Sequence, residues 1–534
     1  MAIAARQALA QVPPAAPPAL PSWVELEAQG ARIGEIRVVP EDIFDLRDAQ
    51  EDNALFRLAN ALHYKTRPQV IRSALLFASG DRLSAAVIDE TERLLRRNNY
   101  LHDVQIRPTA WQDGVVDIEV RTRDTWSLDL GVSASRAGGA NASRVRLKEY
   151  NLLGRGIALS IGRTNAVDRS GNEIEIAADR IAGTWAQASY TVANNDDGRR
   201  DAVSLVRPFY GLDARWAAGF SASRDDRIDA IYDAGRIASE YRHQDRRAEA
   251  FIGWSAGRVG GWVQRWSVGL SLADDAFAAE PGRVAPLTPP RDQQLRAPFV
   301  RYELLEDRFE RATNRNVMGR PEFLPVGLMA SVQLGWAGTA LGSSRDTLLY
   351  AGSVSRGFHP SPGHTVIGSA TVAGEFAEGQ ASRQRVAARV ESFVQQGEHW
   401  LFYGSVLAER LTRPNPADTL LLGGDSGLRG YPLRYQSGLR KVLATAEQRY
   451  YTDIYAWRLF RLGAAAFFDV GRAWESYAPT QARTGWLADV GLGLRIVNTR
   501  TAYGNVLHLD VAAPLNASPD IRKLQFLVKT KTSF

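Results

Sequence analysis

Near residue 425 the chain spells Gly424-Asp425-Ser426-Gly427, the tetrapeptide that surrounds the nucleophile of many serine proteases. A serine nucleophile needs a histidine base and a carboxylate that orients it. The seven histidines fall in no recognisable base motif, and segments of strand-like alternation flank the loop on both sides, so acyl transfer is set aside. Cysteine is absent from the whole sequence, which removes thiolate metal ligands, thiol nucleophiles and disulfides together. No metal site, no cofactor and no enzymatic activity is expected. The chemistry that remains belongs to Arg429 in Leu428-Arg429-Gly430-Tyr431. A guanidinium placed among carboxylates makes charge-assisted, often bidentate hydrogen bonds. Gly427 and Gly430 let the backbone beside it turn and approach a wall closely.

A loop of this kind needs a rigid frame. From Trp126 onward the chain alternates with period 2: Trp126, Leu128, Leu130 and Val132 against Ser127, Asp129, Gly131 and Ser133, and Leu507, Leu509 and Val511 against His508 and Asp510. One face is apolar and the other small or polar, which suits strands with lipid outside and a watery lumen inside. Only a closed sheet crosses a bilayer without unpaired backbone groups. No run approaches the ~18 apolar residues of a membrane-spanning helix, and mean hydropathy is −0.25, so a helical membrane protein is excluded. At roughly 10 residues per crossing, length leaves the strand number open. The net charge of +6 comes almost wholly from arginine, since lysine occurs only at 65, 148, 441, 523, 529 and 531. A GC-rich coding sequence explains that bias, and no nucleic-acid partner is expected.

Ahead of the alternating region lie two other zones. Residues 1–30 read as a signal-peptide remnant ending at Ala8-Leu9-Ala10, followed by a Pro/Ala-rich linker containing Pro13, Pro14, Pro17, Pro18 and Pro21. Residues 31–124 read as a small α+β domain. A strand over Ile33–Val39 precedes an acidic insertion (Glu41, Asp42, Asp45, Asp48, Glu51, Asp52) with a short helical pattern through Leu55, Leu58, Ala59 and Leu62. Thr66 is expected to cap a helix with Pro68 in its first turn, and Ser84 a second helix with one apolar stripe. Strands follow at 103–107 and, after the turn at Asp113-Gly114, at Val116-Asp117-Ile118-Glu119-Val120.

The carboxyl end alternates through Leu524, Phe526 and Val528 and finishes on Phe534. A last strand closing on an aromatic residue resembles the assembly signal of bacterial outer-membrane barrels. Leu428-Arg429-Gly430-Tyr431 resembles the Val-Arg-Gly-Phe/Tyr tip of the sixth extracellular loop in the BamA/TamA superfamily of outer-membrane assembly and secretion barrels. Residues 66 to 121 are similar to a POTRA domain, through Gly80-Asp81-Arg82-Leu83-Ser84, Glu92-Arg93-Leu94-Leu95-Arg96 and the closing strand. Glu149-Tyr150-Asn151-Leu152-Leu153-Gly154-Arg155-Gly156 resembles the family's first barrel hairpin, and Phe467-Phe468-Asp469-Val470-Gly471 a late strand.

The resemblance implies a POTRA domain followed by an all-β antiparallel transmembrane barrel of 16 strands over residues 125–534, with the sixth loop folded into the lumen. It implies that Arg429 meets inner-wall carboxylates, by position Asp469 and Glu447. It also implies an outer-membrane location with the POTRA domain in the periplasm. The partners are then unfolded outer-membrane or secreted protein clients, the lipid bilayer and lipopolysaccharide. The expected function is insertion or translocation of protein clients, with a two-partner secretion transporter and a passive diffusion pore as alternatives. One POTRA domain, where relatives carry more, points to a specialised insertase or transporter.

Overall fold

The computed structural model of the chain describes residues 20–531 except 138–139, 167–168, 234–235, 317, 320, 476–484, 501–505, 517 and 520. The signal-like start, most of the Pro/Ala segment and Phe534 lie outside the described residues.

The first described element corrects the linker reading. Helix α1 (Trp23–Ala28) starts at Ser22, whose side chain and that of Glu25 cap each other's backbone N–H groups, a capping box that satisfies two orphan donors. Its Leu26 is fully buried in the core of the domain that follows. That domain contains β1 (Arg32–Glu41), α2 (Ala54–Leu62), α3 (Pro68–Arg72), α4 (Ala85–Arg96), β2 (Leu101–Gln112) and β3 (Val115–Asp124). The sheet order is β1-β3-β2, with β1 parallel and β2 antiparallel to the central strand. Asp113 and Gly114 turn the hairpin with φ of 52° and 78°, the positive values that match strand twist. The alternating Val116, Ile118 and Val120 are fully buried against Ile71, Ile88 and Leu95.

Thr66 does not cap α3; that position belongs to Arg67, without a side-chain bond. Its amide and hydroxyl instead donate to the buried carboxylate of Asp124, at 2.7 and 2.9 Å. A carboxylate 1% exposed must be hydrogen-bonded, and that need outcompetes the cap. Ser84 stands at the N-cap of α4 but makes no capping bond.

Twenty strands then form one closed antiparallel barrel, from Leu128–Ala137 to Gln525–Lys531. The expected count of 16 is therefore too low. Strands range from the 7 residues of Gln525–Lys531 to the 24 of Arg236–Val259, so chain length cannot be divided by a fixed crossing. The loop carrying Arg429 becomes the eighth connection at its end of the barrel, not the sixth. The apolar face points outward: Leu130, Ile161, Phe220, Leu270, Leu492 and Phe526 are 47–69% exposed, while Asp129, Ser160, His508 and Asp510 are buried inside. Among the described residues no helix is long and apolar enough to cross a membrane.

Among the described residues, the first and last strands share three partner pairs, Ala134↔Val528, Ser135↔Leu527 and Arg136↔Phe526; the Arg440–Ala456 and Phe460–Trp474 strands share fourteen. Below those pairs, the Thr530 hydroxyl donates to the Val132 carbonyl at 2.8 Å.

The N-terminal domain sits on the barrel end where the first strand begins, here the near end. Glu90 accepts from the Leu212 N–H and lies 3.4 Å from Arg258. Asp48 pairs with Arg458 at 3.2 Å, and Glu51 pairs with Arg500. Each partner lies on or beside a near-end turn, so the acidic insertion and α4 clamp the rim at several points.

Candidate functional site

The far-end connection 413–439 turns back into the barrel. Leu420–Leu422 pairs antiparallel with Gln436–Gly438, and a single 3-10 turn at Gly424–Ser426 follows the first of these. Leu422, Leu428 and Tyr431 are fully buried with Ala473 and Leu487 of the wall. The Tyr431 hydroxyl donates to the Ala488 carbonyl at 3.2 Å and to Asn516. The Ser426 hydroxyl, in the protease-like tetrapeptide, donates to the Gly423 carbonyl at 2.9 Å, a bond internal to the turn.

At the tip, the structure brings Arg429, Asp469 and Glu447 together. Arg429 Nε and Nη2 donate to the two oxygens of Asp469 at 2.7 and 3.1 Å, and Nη1 to Glu447 Oε2 at 3.1 Å. The guanidinium carbon lies 3.3 Å above the centre of the Phe467 ring, a cation–π contact in a desolvated place. Cross-strand register explains the convergence: Glu447 faces Phe467, and Asp469 faces Thr445, whose hydroxyl donates to Asp469 at 2.8 Å. Burial alone would weaken the charge on Arg429, but Asp469, Glu447 and Asp510 outweigh it, so its pKa is raised. Close approach requires glycine here. A Cβ on Gly430 would fall 2.6 Å from Asp489 Cβ, and one on Gly427, at φ 127°, would fall 2.5 Å from Leu443 Cδ2.

Several members of the site were not foreseen. Asp510 lies 3.8 Å from Arg429 and accepts from Arg495; its place on the polar side of Leu509-Asp510-Val511 was the available signal. Phe467 adjoins Asp469 in a motif already noted. Arg449 donates to Glu447 at 2.9 Å and to the Arg315 carbonyl at 2.8 Å, a contact that no sequence pattern marks.

Arg315 belongs to a second intruding element. The near-end connection after Gln293–Glu306 forms a hairpin, Phe309–Thr313 with Pro321–Pro325. Its Met318 is buried among Phe393, Leu401, Tyr451, Ala465, Val497 and Val506 of the inner wall. The Tyr451 hydroxyl donates to the Asn314 carbonyl at 2.7 Å. Glu447 thus has the far-end loop on one oxygen and, through Arg449, the near-end hairpin on the other.

Leu524, just ahead of the last strand, and Phe526 within it are exposed at 51% and 60%, with Val528 half-buried. His243, Asp245 and Asp275 lie close enough to share an ion. Arg247 and Arg383 already hold Asp275 at 2.7 and 2.9 Å, and Arg227 lies 2.8 Å from His243; so many cations disfavour another.

No family model matches the sequence, and no curated protein matches it. Among solved structures, BamA from Haemophilus ducreyi lacking POTRA domains 1-3 is similar at 12% identity over 94% of this chain and 84% of that one, with a TM-score of 0.38. CdiB from Acinetobacter baumannii is similar at 12% identity over 94% and 74%, with a TM-score of 0.44. CdiB from Escherichia coli is similar at 12% identity over 95% and 77%, with a TM-score of 0.45. At these identities and TM-scores the likenesses assign no function to the chain.

Proposed function

We propose that the chain is a BamA/TamA-type outer-membrane barrel that inserts or translocates protein clients, with residues 31–124 acting as a POTRA domain in the periplasm. The outward apolar belt and closed backbone ladder suit a bilayer on physical grounds. The observation that carries the reading is the seam: among the described residues three partner pairs join the first and last strands, where every other neighbouring pair of barrel strands shares seven or more. A strand pair that short is where the ring opens at least cost. A passive diffusion pore fits poorly with a lumen entered from both ends, by the Arg429 loop and by the 309–325 hairpin. Clients are read as unfolded outer-membrane or secreted chains, with sheet edges in the N-terminal domain offering strand addition. Catalysis has no part in this reading.

The chain lacks cysteine, so a single engineered disulfide tests the seam. Ala134→Cys with Val528→Cys joins Cα partners across it, and Val406→Cys with Ala444→Cys does the same inside a long ladder. In vesicles, oxidation of the seam pair should abolish assembly or export of an unfolded client and reduction should restore it, while the ladder pair stays active. A fully active oxidised seam would defeat the proposal.

A further inference from the structure

Helix α2, in the acidic insertion, is held firmly on one side and bare on the other. Phe56 stacks on Phe44 with ring centres 3.9 Å apart, in a cluster with Ile43, Trp126 and Leu459. Asn60 exchanges two hydrogen bonds with the Phe44 backbone, at 3.1 and 2.9 Å. The opposite side carries Leu55, Leu58 and Leu62 at i, i+3 and i+7, exposed at 61%, 55% and 63%, one apolar face. Between α2 and the barrel runs a groove of ≈ 660 Å³, bounded by Leu55, Phe56 and Ala59 and by Leu128, Leu130 and Leu507. Val132 and Thr530, joined by a hydrogen bond across the seam, also line it.

Two observations identify the occupant. Leu128 and Leu130 belong to the outward apolar belt, so the groove continues the lipid-facing surface, with Asp129, Asn498, Arg500 and Thr530 as its polar lining. The near rim also carries exposed Trp216, Trp262, Trp400 and Trp457, and Tyr64 just beyond α2 is 64% exposed. Aromatic rings of this kind mark the headgroup level of a bilayer. Trp457 lies two residues from Leu459, which packs on the Phe56 cluster, so α2 sits at that level.

We propose that α2 is an in-plane membrane helix whose outer leucines enter the near leaflet beside the seam, and that a phospholipid acyl chain fills the groove. The inference rests on the reading of the barrel as membrane-spanning. A helix lying in the interface with its apolar face in the acyl boundary needs no spanning length. Its position would keep lipid against the outward face of the first strand at Leu128 and Leu130 while no client is present.

Single cysteines at Leu58, Leu128, Leu270 and Gln112, each carrying an environment-sensitive fluorophore, test this in full-length protein in phosphatidylcholine vesicles with brominated acyl chains. Leu270 is outward on the mid-barrel and Gln112 is exposed at the tip of the domain. The expected result is quenching to about half or below at Leu58, Leu128 and Leu270, with none at Gln112. Quenching at Leu270 without Leu58 would overturn the in-plane helix and leave the barrel reading standing. Quenching at Leu58 without Leu128 would overturn the lipid-filled groove. No quenching at Leu270 would overturn the membrane-spanning reading itself.

Discussion

Removing the guanidinium of Arg429 leaves Asp469, Glu447 and Asp510 with side chains 3%, 6% and 5% exposed around an empty place. Breaking a buried ion pair from one side costs about 3–5 kcal/mol, and less where water enters. Arg449 and Arg495 still neutralise part of the cluster, so the lower end applies to Arg429→Ala. The loop 413–439 should then become sensitive to protease from the far side and single-channel current should become noisier. The barrel should still shift on unboiled gels, because its ladder is untouched. Arg429→Lys should recover only part of the loss, since an ammonium cannot fork onto both oxygens of Asp469. Wild-type protection in Arg429→Ala would refute the seat. Arg429 and Asp469 could be named from sequence because a Gly-flanked arginine and a motif-bearing strand both stood out. Asp510 could not be joined to them, because that needs the register of four strands at once.

At the scale of elements, the hairpin tip between Thr313 and Pro321 is packed as a stopper in the near half of the lumen. Replacing 312–322 by two glycines should raise steady conductance while leaving barrel assembly intact; an unchanged planar-bilayer conductance would show that the hairpin does not limit the pore. Removing loop 413–439 as well should raise it by more than the two single effects combined, since either element obstructs one path. The alternation of Leu507, Leu509 and Val511 made the strands and their outward face readable, because a lipid-facing strand repeats every two residues. Strand number was not readable, since extensions such as the 24-residue Arg236–Val259 blur the repeat. The stopper was invisible for a different reason: a turn that enters a lumen has the same composition as one that faces water.

For the whole molecule, docking of the N-terminal domain onto the rim carries a pH dependence. Burial raises the pKa of Glu90 above its ordinary 4.5, more than the Leu212 N–H and Arg258 lower it. The docked state therefore holds the proton more tightly than the free one, so this contribution is full below 4.5 and is lost as pH rises through the docked value. Glu90→Gln keeps an acceptor for Leu212 and should flatten the dependence, measured as protease release of residues 20–124 across that range. An unflattened curve would place the titration elsewhere. The clamp has a further consequence for the order of events during folding. Asp48 and Arg458 are 410 residues apart in the chain, and Glu51 and Arg500 are 449 apart. Contacts of such separation form late, after loop closure has been made worthwhile by nearer ones. In a chain delivered amino terminus first, the Glu90 contacts with Leu212 and Arg258 can form before those of Asp48 and Glu51, so docking tightens in steps and is finished only once residue 500 is in place.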